Sequence, residues 1–427
     1  GNGKSATQSQ QIVNAAAPAR VTIAMAQHGG APAVCCVKVG QTVNMGQVIG
    51  EAQGFISAPV HASVSGKVVA VTTCTIASGK SVPAVVIEND FEDRWDESVK
   101  LRENVDALSA QDIAHIAASC GIVGMGGAAF PTAVKLDTSK LEEKPDTLVV
   151  NGSECEPYLT SDHRIMVENA AQIVDGIMLA MKATGVPCAK VGIEDNKPDA
   201  VQAMCDAASG KQGIEVVALP ARYPQGFEKT LIYSLTGRIV PNGKLPSAAK
   251  CVVINVGTCA ALSAAVRKGQ PLIDRVVTGT GRVANPMNLR VRIGTPLLDL
   301  IDQVGGLTDG VRKLVVGGAM MGNAVPTLNL PITKNFGGFL ALGEEAISAE
   351  ESACIRCGRC MRACPMKLAP AKIDSLVRHG DYDGAIAAGA MNCMECGSCT
   401  YACPAKRQLT QSCRVAKAIA RSKPKKS

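Results

Sequence analysis

Short apolar runs set off by glycine fill the first fifth of the chain. Between about Val21 and Ile87, stretches such as Val37-Lys-Val-Gly40-Gln-Thr-Val43, Gly46-Gln-Val-Ile-Gly50-Glu51 and Ala58-Pro-Val-His61-Ala-Ser-Val64-Ser-Gly66 alternate apolar with polar or small residues. That pattern predicts a small, tightly curved β-domain over 21–95. The period then changes. Gln111-Asp-Ile-Ala-His-Ile-Ala-Ala-Ser-Cys120 has helical spacing, and Thr147-Leu-Val-Val-Asn151 is a β-rich run, so 100–268 is expected to be an α/β domain. Over 270–342 only short strands and glycine turns are legible, and 345–415 is expected to be helical. Positions 1–20, rich in Gln, Ser, Asn and Ala, read as a flexible lead-in, and 416–427 as a basic tail. The fold class expected is multidomain, α/β and α+β.

The cysteines bring in chemistry. Eight of the 18 fall into two blocks of one spacing, Cys354-x-x-Cys357-x-x-Cys360-x-x-x-Cys364-Pro365 and Cys393-x-x-Cys396-x-x-Cys399-x-x-x-Cys403-Pro404. Three thiolates two residues apart can wrap one corner of a four-iron cluster, while the fourth is carried to the neighbouring cluster. Two [4Fe-4S] clusters are therefore expected, one on Cys354, Cys357, Cys360 and Cys403, the other on Cys393, Cys396, Cys399 and Cys364. Gly358 and Gly397 would let the loops approach the inorganic sulfurs. Zinc would need paired CxxC units or a histidine in ligand spacing, and neither block has such a histidine. A disulfide framework belongs to smaller, more cysteine-dense chains of oxidising compartments. The other ten cysteines, Cys35 and Cys36 among them, read as buried thiols.

Composition narrows the class. The chain is 47% hydrophobic and 3% aromatic, and no apolar run reaches the roughly 18 residues of a membrane span. The net charge of +7 gathers near the end, where Arg421, Lys423, Lys425 and Lys426 cluster. A solvated, frayed terminus is one reading of that charge; attraction to an acidic partner or an anionic membrane is the other. No aromatic platform or nucleic-acid module accompanies it, so nucleic acid is not expected as a partner. The chain begins at Gly1 and not at a methionine, so a processed start or a preceding targeting segment stays open. Low-potential clusters and many free thiols point to a reducing compartment.

The remaining candidate chemistry lies in 100–268. After the helical stretch comes Gly121-Ile-Val-Gly124-Met-Gly126-Gly127-Ala-Ala-Phe130-Pro131-Thr-Ala-Val-Lys135. Gly124, Gly126 and Ala129 imitate a dinucleotide fingerprint, but that fingerprint follows a strand and opens a helix, whereas here a helix precedes and Pro131 interrupts. What is left is a loop of little bulk whose amides can approach a phosphate or a flat ring; a tight structural turn is the alternative. The run from Thr147 ends in Asn151, Glu154 and Glu156, where strand gives way to loop and open α/β sheets bind ligands. Together with Gly226-Phe-Glu228 and Asn255, these residues resemble the flavin- and NADH-binding component of respiratory NADH dehydrogenase. In that family a glycine-rich loop, an ESEP-type turn, a GEE-type turn and an asparagine cradle FMN. The resemblance implies FMN held by Gly124, Gly126, Gly127, Phe130, Lys135, Asn151, Glu154, Gly226 and Asn255. Phe130 would face the nicotinamide nucleotide, Lys135 would meet the flavin or its phosphate, and Glu156 and Glu228 would border the nicotinamide pocket as catalytic carboxylates. Met125 stands where that family has arginine, and Phe227 where it has glutamate.

Read in order, nearly the full chain, from about Val21 onward, resembles the RnfC family, a component of the Rnf complex, which is a ferredoxin:NAD oxidoreductase coupled to ion pumping. The matching residues are His28-Gly-Gly-Ala-Pro32, Val37-Lys-Val-Gly40, Ser57-Ala-Pro-Val-His-Ala-Ser-Val-Ser-Gly66, the Gly124–Thr132 loop and the twin cysteine blocks. The resemblance implies a barrel-sandwich hybrid at 21–95, similar to lipoyl carriers but without a lysine in the hairpin Glu51–Ser57. It further implies a β-grasp (SLBB-like) domain at 270–342 and a ferredoxin-type module at 345–415. His28 and His61 read as structural. The activity expected is hydride exchange between NAD(H) and FMN, with single electrons passed through two clusters, in a peripheral subunit at the cytoplasmic face of the bacterial plasma membrane. Its partners would be other subunits of the complex, with ferredoxin reached indirectly. The related cobalamin reductase of microcompartments, whose barrel-sandwich segment follows the clusters, and a flavin-free relay and docking scaffold are the alternatives.

Overall fold

The computed structural model describes residues 3–139, 141–347 and 350–423. Alternating valines and isoleucines close the first β unit. Arg20–Ala24, Ser81–Asn89, Gly66–Thr75 and Thr42–Val43 form an antiparallel sheet in that order, and Val34–Cys35, Val48–Glu51 and Val60–His61 form a second. Val21, Ile23, Met25, Val43, Ile49, Val60, Val68, Val85 and Ile87 fill the space between them. Strand alternation sends one side chain in and the next out, so these small sheets need only half their residues apolar.

The second unit is a four-stranded parallel sheet, in the order Ile214–Leu219, Cys188–Glu194, Thr147–Asn151 and Cys251–Asn255. The central strands are apolar at nearly every position because helices cover both faces. Leu148, Val150, Val252 and Ile254 pack with the helices Ala170–Thr184 and Val256–Lys268. Val149, Cys251 and Val253 pack on the other side with Leu231, Ile232 and Leu235 of the helix Glu228–Thr236.

A six-stranded sheet follows, ordered Ile12–Asn14, Met287–Arg292, Asp274–Gly281, Gly338–Leu342, Lys313–Val316 and Asn323–Ala324. Its first strand corrects the expectation of a flexible lead-in over 1–20. Ile12–Asn14 pairs in parallel with Met287–Arg292; Thr7 is fully buried, and Lys4 Nζ donates to the Glu154 carbonyl at 2.7 Å. An edge strand is held by main-chain hydrogen bonds, which a polar composition does not reveal.

The last unit is helical, with Arg359–Ala363, Pro370–Arg378, Tyr382–Ala387, Ser398–Tyr401 and Leu409–Ser422. The long final helix corrects the reading of 416–427 as a frayed tail. Ala416 is fully buried, Lys417 Nζ donates to the Cys393 carbonyl at 2.9 Å, and Lys423 pairs with Asp383. Lys425 and Lys426 lie outside the described residues. No described helix is long and apolar enough to cross a membrane. All 18 cysteines are free, but Cys36 and Cys205 are exposed and Cys35 is half-buried, so not all the non-ligand thiols are the buried ones expected.

Candidate flavin and cluster sites

Strand order creates the first site. From Thr147–Asn151 the chain builds outward on one side through Cys188–Glu194 and Ile214–Leu219, then returns to place Cys251–Asn255 on the other side. The switch point therefore lies between the strands ending in Asn151 and Asn255, which are direct register partners. Open α/β sheets bind ligands in the crevice beyond such carboxyl ends.

Both asparagines are held rigidly. Asn255 Oδ1 caps the helix Val256–Lys268 by accepting from the Gly257 and Thr258 amides at 2.9 and 3.3 Å, and its Nδ2 donates to Asp162 Oδ2 at 2.7 Å. Asn151 Nδ2 donates to the Gly226 carbonyl at 2.8 Å, which brings the Gly226 turn to the same edge. Burial, and then the nearby Glu154 charge, push the Asp162 carboxyl well above its ordinary range.

The glycine-rich loop closes over this edge. Gly124 N donates to the Phe130 carbonyl at 2.9 Å, and Met125 N donates to Thr258 Oγ1 at 3.0 Å. A Cβ at Gly126 would stand 3.0 Å from Asn255 Nδ2, whereas one at Gly127 would meet no heavy atom within 4 Å. Gly126, Gly127 and Ala128 are exposed, and Ala129 is in the left-handed region at φ 51°. Such strain in a non-glycine residue gathers at functional loops. Two buried hydroxyls without a hydrogen-bond partner, Thr132 Oγ1 and Ser153 Oγ, flank the loop and the Gly226 turn. Exposed small residues and unsatisfied hydroxyls fit a planar, phosphate-bearing group such as FMN.

Other residues proposed for this site are placed differently. Lys135 Nζ donates to the Val253 carbonyl at 3.1 Å, so a strand holds the ammonium that was expected at the flavin. Burial lowers its pKa, and the Glu228 charge acts the other way. Thr132–Leu136 is a helix of only 5 residues and offers a phosphate little dipole. Glu154 is a helix cap, accepting from the Asp162 and His163 amides at 2.7 and 3.2 Å. Glu156 Oε2 accepts from Met320 N at 3.0 Å, and burial raises its pKa. Phe130 lies beside Gly29, whose amide donates to the Ala129 carbonyl at 3.0 Å, so the His28–Pro32 loop backs the glycine-rich loop. Asp162, Thr258 and Tyr223 were not picked out as site residues from sequence, because contacts distant along the chain define them.

His61 is buried beside Gly121, and burial with the neighbouring Lys334 charge lowers its pKa to about 3. Lys334 Nζ donates to the Pro59 and Gly121 carbonyls at 3.0 and 2.8 Å. A neutral histidine and a buried lysine fastening two loops are structural groups, as expected of His61.

The second site lies among the helices. One pocket is lined by Cys364 together with Cys393, Cys396 and Cys399, so the last cysteine of the first block meets the first three of the second. Cys403 packs against a small core that holds Cys360 together with Cys399 and Leu409, so the two blocks meet there as well. No three described His, Cys, Asp or Glu side chains close on a point as a single ion needs; around a cluster each thiolate takes its own iron. Amides point at the sulfurs, with Leu368 N donating to Cys364 Sγ at 3.4 Å and Glu395 N to Cys393 Sγ at 3.3 Å. Such bonds tune cluster potentials. Cys413, a fifth thiol lining this pocket, was not foreseen.

A glycine loop at a sheet's switch point, in one chain with a pocket of thiols, is the arrangement of an iron–sulfur flavoprotein. The Nuo51 FMN-binding domain family matches residues 117–264, the RnfC barrel sandwich hybrid domain 1–92, the SLBB domain 276–324 and the 4Fe-4S dicluster domain 346–404. The C component of the Na(+)-translocating ferredoxin:NAD(+) oxidoreductase complex of Acetobacterium woodii is 46% identical over 402 residues, covering 94% of this chain and 90% of that one. The C component of the proton-translocating complex of Clostridium ljungdahlii is 45% identical, covering 90% and 84%. The chain belongs to the RnfC family of the ion-translocating ferredoxin:NAD oxidoreductase complexes. A solved NAD+-reducing [NiFe]-hydrogenase in its H2-reduced state shares the fold with a TM-score of 0.51 at 18% identity, over 72% of this chain and 66% of that one.

Proposed function

We propose that this chain is the peripheral NADH- and FMN-reactive subunit of a membrane-bound, ion-translocating ferredoxin:NAD oxidoreductase, at the cytoplasmic face of the bacterial plasma membrane. Ferredoxin is reached through the other subunits. The observation that carries the reading is the pairing of Asn151 with Asn255 beneath the exposed Gly126–Ala128 loop.

FMN, when bound, supplies the interchange between two-electron hydride chemistry and one-electron transfer. The protein's part is to bind, orient and exclude water. Gly124, Gly126 and Gly127 present backbone to the flavin, Asn151, Gly226 and Asn255 form the floor, and Phe130 offers the nicotinamide a flat neighbour. Glu156 and Glu228 border the nicotinamide pocket, where a carboxylate orients the carboxamide. Lys135 acts through the Val253 strand and Glu228, and Glu154 by capping the helix that carries Asp162. The sheet over 270–342 is read as a β-grasp. Cys354, Cys357, Cys360 and Cys403 hold one cluster, and Cys364, Cys393, Cys396 and Cys399 the other. The barrel-sandwich match at 1–92 lies ahead of the clusters, the order opposite to that of cobalamin reductases.

Anaerobic reconstitution with iron, sulfide and FMN tests this. About eight irons per chain, the content of two four-iron clusters, with bound FMN bleached by NADH is the expected result. The same iron with no flavin bound would leave a relay without the NADH reaction.

A further inference from the structure

Three units meet at one side chain. Tyr223 follows Ile214–Leu219, an edge strand of the parallel sheet, and its Oη donates to the Cys396 carbonyl at 2.7 Å. The same oxygen lies 3.3 Å from Glu156 Oε1, while Glu156 Oε2 accepts from Met320 N of the six-stranded unit. A phenol has one proton, and the shorter contact marks the cysteine loop as its main acceptor. The junction admits no added bulk. A Cβ at Gly318 would fall 2.1 Å from Glu156 Oε2, and one at Gly397 would fall 2.9 Å from the Met320 carbonyl.

The two cysteine sets differ in how many of their members reach the surface. Cys364, Cys396 and Cys399 are buried, and the loop of Cys396 is the one held by Tyr223. Cys393 is half-buried, and in the other set Cys360 is buried and Cys403 half-buried, but Cys354 and Cys357 are exposed, as are Ile355, Met361 and Tyr401 nearby.

We propose that Tyr223 is the positioning residue that seats the Cys364, Cys393, Cys396 and Cys399 cluster against the flavin domain, making it the inner of the two clusters. The Cys354, Cys357, Cys360 and Cys403 cluster is the outer one. Tyr223 touches a ligand's backbone and not its sulfur, so it acts through the loop. The inference rests on the cluster assignment above, and its test is independent of the flavin.

The test is a dithionite redox titration of the iron-loaded full chain, followed by EPR. Tyr223→Phe removes one hydroxyl and is expected to keep full iron while shifting the midpoint of one cluster signal. That signal should be the one perturbed by Cys364→Ser, and the other should be the one perturbed by Cys354→Ser. A shift in neither signal, in both equally, or in the Cys354→Ser signal alone would overturn the proposal. Should Tyr223→Phe lose iron, Glu156→Gln, which keeps the phenol and changes the carboxylate beside it, must shift the Cys364→Ser signal in the same dithionite titration, where no NADH is present; an unchanged signal there overturns it equally. Dithionite needs no FMN or NADH. A chain that binds no flavin therefore fails the proposed function alone, while a flavin-loaded chain whose clusters ignore Tyr223 fails this inference alone.

Discussion

Asn151 and Asn255 are register partners at the ends of adjacent parallel strands, and the Asn255 amide nitrogen also lies 3.4 Å from the Asn151 carbonyl oxygen. One side chain ties down the Gly226 turn and the other caps the helix behind the glycine-rich loop. The floor of the cleft is thus built from two residues whose freedom is already spent on the fold, leaving a rigid surface for a flat ring.

Gly127 separates a ligand site from a mere turn. Its Cβ direction is open, so Gly127→Val should change the stability of the cofactor-free chain by no more than about 0.5 kcal/mol, the usual range for surface substitutions. FMN retention on gel filtration should nonetheless be lost. A valine variant that keeps its flavin would mean that the loop is structural.

Glu156 and Glu228 are expected to act on NADH without any loss of iron. Glu156→Gln and Glu228→Gln should each lower kcat/KM for NADH oxidation about tenfold, or ~1.4 kcal/mol, with iron content unchanged. Stopped-flow flavin bleaching reads this, and unchanged kinetics would remove both residues from the pocket.

The crossing of the cysteine blocks predicts a pairing of phenotypes. Cys364→Ala and Cys396→Ala lie in different blocks yet line one pocket, so both should abolish the same EPR signal and leave about four irons per chain. Cys354→Ala should abolish the other signal. Loss of different signals in the first pair would show that each block ligates its own cluster.

Lys334 gives a pH dependence with a definite sign. Burial lowers its pKa from 10.5 to about 7, so between those values the unfolded chain holds a proton that the folded chain lacks. Stability from this group therefore rises with pH across that window, and below pH 7 the full cost of the buried charge is present. Lys334→Met should flatten the rise by on the order of a few kcal/mol, read as the difference between variant and parent in urea midpoints at pH 7 and pH 10. Parallel curves would show that the lysine is not titrating in the folded protein.

Legibility followed the range of the interactions. The cysteine blocks could be read because ligands of a cluster recur at short, fixed spacing, and the strand ending in Asn151 because an apolar run stopped at polar residues. Membership of Asn151 and Asn255 in one site was reached by resemblance, since strand order is not written locally. Asp162 and Tyr223 gave no local signal; each acquires its role from partners such as Asn255 and Cys396, 93 and 173 positions away. Lys135 shows the converse, a residue with the right identity whose ammonium a strand carbonyl takes up. The chain's two ends misled for one reason, that polar composition hides both an edge strand at Ile12–Asn14 and the lysines that hold a helix down at Lys417.

The edge strand Ile12–Asn14 also orders events in time. Thr7 and Asn288, which clasp beside it, are 281 positions apart, so at the usual pace of synthesis roughly 15 to 55 seconds separate their emergence from the ribosome. The β unit and the parallel sheet can close in that interval while the first residues wait without their partner. The segment from Thr7 to Asn14 is then among the last parts to dock, and a nascent chain stalled before Met287 would leave that segment open to protease where a chain extended past the sheet does not.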